Sequence, residues 1–250
     1  MKPYYKDEAV TLYHGDCRDL LPQINPGGVS MALADPPYAE TSLDWDRWPD
    51  GWAKLAAEYA SSMWCFGSMR MFLDRRDEFD GWNLSQDIVW EKHNGSGFHA
   101  DRFKRVHEVA THWYRGDWES VYKDVPVTMD ATKRAVRRKE RPPHTGEIAG
   151  STYISEDGGP RLMRSVIYCR SMHGRAINET EKPGGILEPL IQYGCPPGGL
   201  LLDLFSGSSS ALMAAKATGR RGIGFEVRES QCEQAAERLA QDILPFGEAS

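Results

Sequence analysis

Val29-Ser30-Met31-Ala32-Leu33-Ala34-Asp35-Pro36-Pro37-Tyr38 decides how this chain is read. Its first six residues, apolar but for Ser30, read as a buried strand, and Asp35 opens the loop that follows. Two successive prolines fix the backbone and remove two N–H donors, leaving the Asp35 carboxylate and the Pro36 carbonyl as a rigid pair of acceptors. An exocyclic amino group fits such a pair, and Tyr38 adds an aromatic plane for a flat heterocycle to stack on. The plain alternative is a proline-rich turn after a strand.

Outward from this stretch, strand-like runs recur at 63–67, 87–90, 106–113, 165–169, 200–205 and 221–225. Helical patterns fall between several of them. The segment 52–60 follows the turn signal Pro49-Asp50-Gly51, and 209–218 and 229–241 have apolar positions at three-to-four-residue spacing. Strand and helix in alternation imply crossover units and a mainly parallel sheet.

A second site stands far along the chain. Leu200 to Ala211 reads as a buried strand, a turn of tiny residues (Ser206-Gly207-Ser208-Ser209) and a helix start. Small residues let a ligand approach the backbone, and the helix N-terminus offers N–H groups. Glu226 closes the next strand as an acid suited to ribose hydroxyls. A dinucleotide site is the alternative, weakened because the full G-x-G-x-x-G fingerprint is absent.

The 250 residues carry a net charge of −6, unevenly placed. Residues 131–175 carry +6, which leaves −12 on the remainder. Lys133, Arg134, Arg137, Arg138, Lys139 and Arg141 form the centre of the basic stretch, a solvated surface run or a phosphate contact. The five cysteines show no C-x-x-C spacing, which suits reduced thiols in a cytosol-like compartment. His14, His99, His112, His144 and His173 show no metal-ligand spacing, so no metal is expected. No run approaches the roughly 18 apolar residues of a membrane span, so a soluble chain is expected.

Taken together the two sites resemble those of an amino-group DNA methyltransferase of the permuted type (the beta class), in which the catalytic tetrapeptide precedes the cofactor loop. Leu12-Tyr13-His14-Gly15-Asp16-Cys17 is similar to the family's Gly-Asp element, and Leu43-Asp44-Trp45-Asp46 to its aromatic and acidic loop. Ile88 to Asn94 and Arg102 to Glu108 resemble two stretches of the target-base half, and Asn178 to Pro183 resembles the Lys-Pro element. These elements run in the family's order from about residue 11 to 240.

The resemblance implies an α/β, Rossmann-like S-adenosylmethionine-dependent methyltransferase fold: a mainly parallel twisted sheet with helices on both faces. A catalytic and cofactor-binding domain is expected over 1–116 and 161–250, with an inserted target-recognition region over 117–160. Asp35, Pro36, Pro37 and Tyr38 take the catalytic positions. Asp16, Cys17, Asp35, Lys182, Asp203, Phe205, Ser206, Gly207, Ser208, Ser209 and Glu226 take those for S-adenosyl-L-methionine, Lys182 beside its methionine moiety. Lys133, Arg134, Arg137, Arg138 and Arg141 are the candidate DNA contacts.

The implied reaction is methylation of the N6 amine of a flipped-out adenine in double-stranded DNA. Two alternatives stand: methylation of cytosine N4, and a DNA- or cofactor-binding protein that has lost catalysis. Implied partners are a second copy of the chain and a separate restriction endonuclease, for which the residues give no independent sign. The implied setting is a prokaryotic or phage-encoded cytoplasmic protein. Three positions depart from the family pattern: Leu204 stands where proline is usual, Ser209 where the second glycine is, and Asn178 where histidine is.

Overall fold

A computed structural model describes residues 2–96, 100–137, 152–172 and 181–241. The chain divides into two compact units, Met1–Asp124 with Ser165–Ser250, and Val125–Arg164. The insertion expected at 117–160 thus begins later. Asp117–Asp124 stays with the larger unit, where Trp118 packs edge-on against Tyr114 and His112 and the Asp124 N–H donates to the Tyr193 carbonyl at 2.9 Å.

In chain order the larger unit holds β1 (Tyr5–Lys6), β2 (Val10–His14), α1 (Cys17–Ile24), β3 (Val29–Ala34), α2 (Trp52–Ala56), β4 (Ser62–Gly67), α3 (Met69–Asp74), β5 (Asn83–Ser96) and β6 (Arg105–Tyr114). The smaller unit holds β7 (Val127–Thr128), β8 (Arg134–Arg137), β9 (Thr152–Ser155) and β10 (Arg161–Leu162). The larger unit then resumes with β11 (Val166–Tyr168), α4 (Gly184–Gly194), β12 (Leu200–Asp203), α5 (Ser210–Ala217), β13 (Arg221–Glu226) and α6 (Glu229–Leu239).

Nine strands form one sheet in the order β1-β2-β13-β12-β3-β4-β6-β5-β11. The pairings from β2 through to β4 are parallel, as is β5 with β11, so the sheet is mainly parallel. The antiparallel pairs β4 with β6 and β5 with β6 were not expected from the alternation of strand and helix. They arise because β5 and β6 follow one another as a long hairpin.

Alternation along β3 explains why helices cover both faces. Ala32 and Ala34 face the cluster built on Leu21, Trp52, Ala53 and Ala56 from α1 and α2. Met31 points the other way, so close to Gly194 of α4 that a Cβ there would lie 2.3 Å from its Sδ. Small residues thus set how closely the layers approach. Helix α2 ends at Ala56, short of the expected 60, because Glu58 and Tyr59 bond to carbonyls only three residues back and tighten the chain into turns.

Among the described residues the smaller unit holds two short antiparallel pairs, β7 with β10 and β8 with β9. Asp130 accepts a bidentate ion pair from Arg161, which neutralises part of the basic stretch. Among the described residues no helix is long and apolar enough to cross a membrane.

Candidate active site

The parallel register of β12 against β3 sets Asp203 opposite Leu33, so the two sequence motifs leave adjacent strands at the same edge of the sheet. A crevice at the carboxyl ends of parallel strands is where doubly wound sheets take ligands. Here the crevice encloses about 830 Å³ and is lined from Gly15 to Arg18, by Asp35 to Tyr38, by Trp90, Lys92 and Glu108, by Lys182, and by Asp203 to Ser208 and Glu226. Every candidate catalytic and cofactor residue lines it except Ser209. That residue is fully buried, caps α5 with a left-handed φ of 58°, and brings its hydroxyl 3.0 Å from that of Ser206.

At the end of the crevice built by the tetrapeptide, Asp35 retains 21 % side-chain exposure, and Tyr38 donates its hydroxyl to Asp35 Oδ1 at 2.9 Å. Lys182, buried, donates to Oδ2 at 2.5 Å and lies 3.4 Å from Glu108 Oε2. Lys92 pairs with the other oxygen of Glu108. Burial pushes the Asp35 carboxyl above its ordinary value; the Lys182 charge opposes this, and Glu108 adds to it. For Lys182 burial favours the neutral amine, but Asp35 and Glu108 outweigh it and hold the ammonium above its usual range. Burial works against ionised Glu108, yet Lys182 and Lys92 bring it below the usual carboxylate range. Glu108 and Lys92 were not among the candidate site residues. Their only sequence signal was a place in two family-like stretches that pair across β5 and β6.

The loop after the tetrapeptide is held by Asp46. Its buried carboxylate accepts from the N–H groups of Ala39 at 2.8 Å, Glu40 at 3.0 Å and Thr41 at 2.7 Å. Ala39 sits in the left-handed region at φ 55°, a conformation that this set of bonds imposes.

At the other end, Ser206 donates to Asp203 Oδ2 at 2.9 Å, and burial lifts the Asp203 carboxyl to about 7 against those bonds. Gly224 lets the loop pack on β13, since a Cβ there would lie 2.6 Å from Ser206 Oγ. The Gly207 N–H donates to Glu226 Oε2 at 2.9 Å, and Oε1 accepts from the Arg228 N–H at 2.8 Å. The Arg228 guanidinium lies 5.2 Å from the Trp45 ring. Phe205 is held edge-on by the buried Trp52 at 5.4 Å. Gly15 turns with φ 139° into α1, where Asp16 caps Arg18 N at 2.8 Å and Cys17 is buried, its thiol pushed up to about 12 by that burial.

Leu204, where the family pattern has proline, uses the N–H that proline lacks: it donates to the Leu33 carbonyl at 3.1 Å. The donor set fits S-adenosylmethionine better than a dinucleotide. Among the described residues eight carboxylates line the crevice against six Lys and Arg side chains, and Asp16, Asp35 and Glu226 engage Arg18, Lys182 and Arg228, which suits a cationic sulfonium and ribose hydroxyls and disfavours a pyrophosphate.

The family model described as DNA methylase, covering N6 and N4 amino-methyltransferases, matches residues 29–237. The chain belongs to the N6/N4 DNA methylase family. The matched span contains both motifs and the whole crossover between them. Curated relatives include the type II methyltransferase M.HinfI of Haemophilus influenzae, 25% identical over 98% of this chain and 72% of that protein. M1.MboII of Moraxella bovis is 24% identical over 91% and 95%. Among solved structures, the M1.HpyAVI–SAM complex aligns with a TM-score of 0.61 at 21% identity, covering 92% of this chain and 99% of that one. The cytosine-N4-specific PvuII DNA methyltransferase aligns at 0.65 with 16% identity, covering 97% and 90%. This N6/N4 DNA methylase therefore acts on DNA with S-adenosylmethionine as cofactor, on a Rossmann-like sheet.

Of the candidate DNA contacts, Lys133 and Arg134 are exposed on the smaller unit, Lys133 lying 3.4 Å from Glu156. Arg137 ends β8. Arg138 and Arg141 lie outside the described residues, as does Asn178. Among the described residues no group of three or more His, Cys, Asp or Glu is placed to hold a metal ion.

Proposed function

We propose that this protein methylates the N6 amine of an adenine flipped out of double-stranded DNA. The observation that carries the reading is the shared crevice: Asp35-Pro36-Pro37-Tyr38 and the Asp203–Ser208 loop open into it from neighbouring strands. When bound, S-adenosylmethionine supplies an electrophilic methyl group. Asp203 to Ser208, Glu226, Asp16 and Cys17 would hold it. The protein's remaining task is alignment of the amine.

The amine lone pair of adenine is delocalised into the ring. Hydrogen bonds from its two N–H groups to Asp35 and the Pro36 carbonyl favour the tetrahedral, nucleophilic form. Asp35 then stabilises the positive charge that develops on nitrogen and receives the released proton. A paired base cannot reach the crevice inside a duplex, so the target leaves the stack and Tyr38 offers the ring to receive it. Lys133, Arg134, Arg137, Arg138 and Arg141 serve phosphate positioning and base reading in this scheme.

Cytosine N4 is the second reading, favoured by the cytosine-N4-specific neighbour, because the same acceptors suit either amine. The type II names of the relatives support a separate endonuclease partner, and their bacterial sources a cytoplasmic setting. A homodimer rests on layout alone. Tritium transfer from labelled cofactor to DNA, followed by mass spectrometry of the nucleosides, tests the reading: N6-methyladenine is expected, N4-methylcytosine would replace it, and no transfer would leave only a binding protein. Fluorescence of 2-aminopurine at the target position should rise on binding.

A further inference from the structure

The Lys-Pro element is expected to place Lys182 beside the cofactor. Within the same crevice its ammonium reaches a residue 147 positions away, ending 2.5 Å from Asp35 Oδ2. It is nearly inaccessible, at 6 % side-chain exposure, which is costly for a charge unless the charge is paired on more than one side. That condition is met: Glu108 Oε2 stands 3.4 Å away, and Glu108 is itself tied to Lys92, whose ammonium rests 4.5 Å from the Trp90 ring. Two anions and two cations thus alternate in a line that ends at Asp35.

We propose that Lys182 is a positioning residue for the transfer: held from behind by Glu108 and Lys92, it fixes the plane and the negative charge of the Asp35 carboxylate, whose remaining lone pairs meet the base amine. The inference rests on the reading of Asp35 as the group that accepts from that amine.

A carboxylate oxygen has two acceptor sites, so one donor from Lys182 and one from Tyr38 leave each Asp35 oxygen able to accept again. A protonated Asp35 would spend one oxygen as a donor and lose its grip on a two-proton amine. Burial favours that protonated form, and the ammonium of Lys182 is the charge that opposes it. Among the described residues the groups facing Asp35 are few. Lys182 approaches from ahead of α4 and Tyr38 from the same loop. Glu108, backed by Lys92, comes from the β5–β6 hairpin, Cys65 from β4 and Asp203 from β12. Among them only Lys182 brings a positive charge directly to the carboxylate.

The geometry gives opposite signs for the two neighbours. Removing the Lys182 charge leaves Asp35 with burial and Glu108, so Asp35 binds its proton more tightly. Removing the Glu108 charge takes away a repulsion, so Asp35 binds its proton less tightly. A role confined to cofactor contact would produce neither shift.

The test uses the full chain with Lys182→Met, Lys182→Arg and Glu108→Gln. First, 13C NMR of protein labelled at aspartate Cγ, without cofactor and with Asp35→Asn to assign the signal, reads the Asp35 midpoint directly. It should rise in Lys182→Met, fall in Glu108→Gln, and return to the wild-type position in Lys182→Arg. Second, the acidic limb of kcat/KM against pH should move the same way, Lys182→Met losing about tenfold per pH unit below its new midpoint. Calorimetric affinity for S-adenosylmethionine within about threefold of wild type would show that the variants are folded. An unmoved midpoint with weakened cofactor binding would overturn the proposal and return Lys182 to the cofactor. Wild-type protein that binds cofactor but transfers no methyl to DNA would instead remove the reading of Asp35 on which it rests.

Discussion

The backbone N–H of Leu204 donates to the carbonyl of Leu33 at 3.1 Å, stitching the first residue beyond the cofactor strand to the strand that leads into Asp35. The bond couples the two halves of the crevice through main chain alone. Leu204 is 2 % exposed, so water cannot replace the donor. Leu204→Pro, which restores the usual family residue, should therefore destabilise this chain by about 1–3 kcal/mol. Thermal unfolding checks it, and an unchanged Tm would show that the bond is dispensable.

Asp35→Ala should lower turnover on the order of 10³-fold while leaving S-adenosylmethionine affinity within about threefold. Calorimetry and a tritium-transfer assay on one preparation separate the two effects. Loss of cofactor binding with turnover retained would contradict the role given to Asp35.

Asp203 makes stability depend on pH. Burial lifts its carboxyl to about 7 from an ordinary 3.8, so between those values the folded chain holds a proton that the unfolded chain has released. Stability from this group is complete below about pH 4 and is lost as pH rises through 7. Asp203→Asn carries no such proton. Its Tm relative to wild type, measured without cofactor, should climb from pH 4 to pH 7 and then level off, while its affinity for S-adenosylmethionine falls about tenfold.

Asp46→Ala should release the loop after the tetrapeptide by depriving three N–H groups of their acceptor, at about 2–3 kcal/mol. Burial opposes the Asp46 charge, but the bonds from Thr41, Ala39 and Glu40 prevail and hold its carboxyl below the usual range. Its contribution is therefore present at neutral pH and lost on acidification. Limited proteolysis should cut near residues 39–46 in the variant and spare the wild type at pH 7.

The buried strands were legible because strands covered on both faces are mostly apolar: 29–34 stands where the sequence places it, the run expected at 200–205 ends at Asp203, and the one expected at 221–225 extends to Glu226. The two motifs were legible because prolines and tiny residues constrain the backbone locally. Helices α1 and α4 were passed over, since Pro22 and Pro189 interrupt their patterns and packing overrides propensity. The β5–β6 hairpin was read as two separate strands because its pairing is set by the partner strand.

Sequence alone thus determined the family, the order of its elements and the two motifs that open into the crevice, all carried by local patterns of a few positions. Only the tertiary structure decided that Lys182 meets Asp35 and that Glu108 and Lys92 stand behind it. It alone also showed that Leu204 turns a lost proline into a bond between strands. The physical reason is that a buried charge finds its counter-charge by proximity in space, and neither spacing nor periodicity along the chain records that proximity.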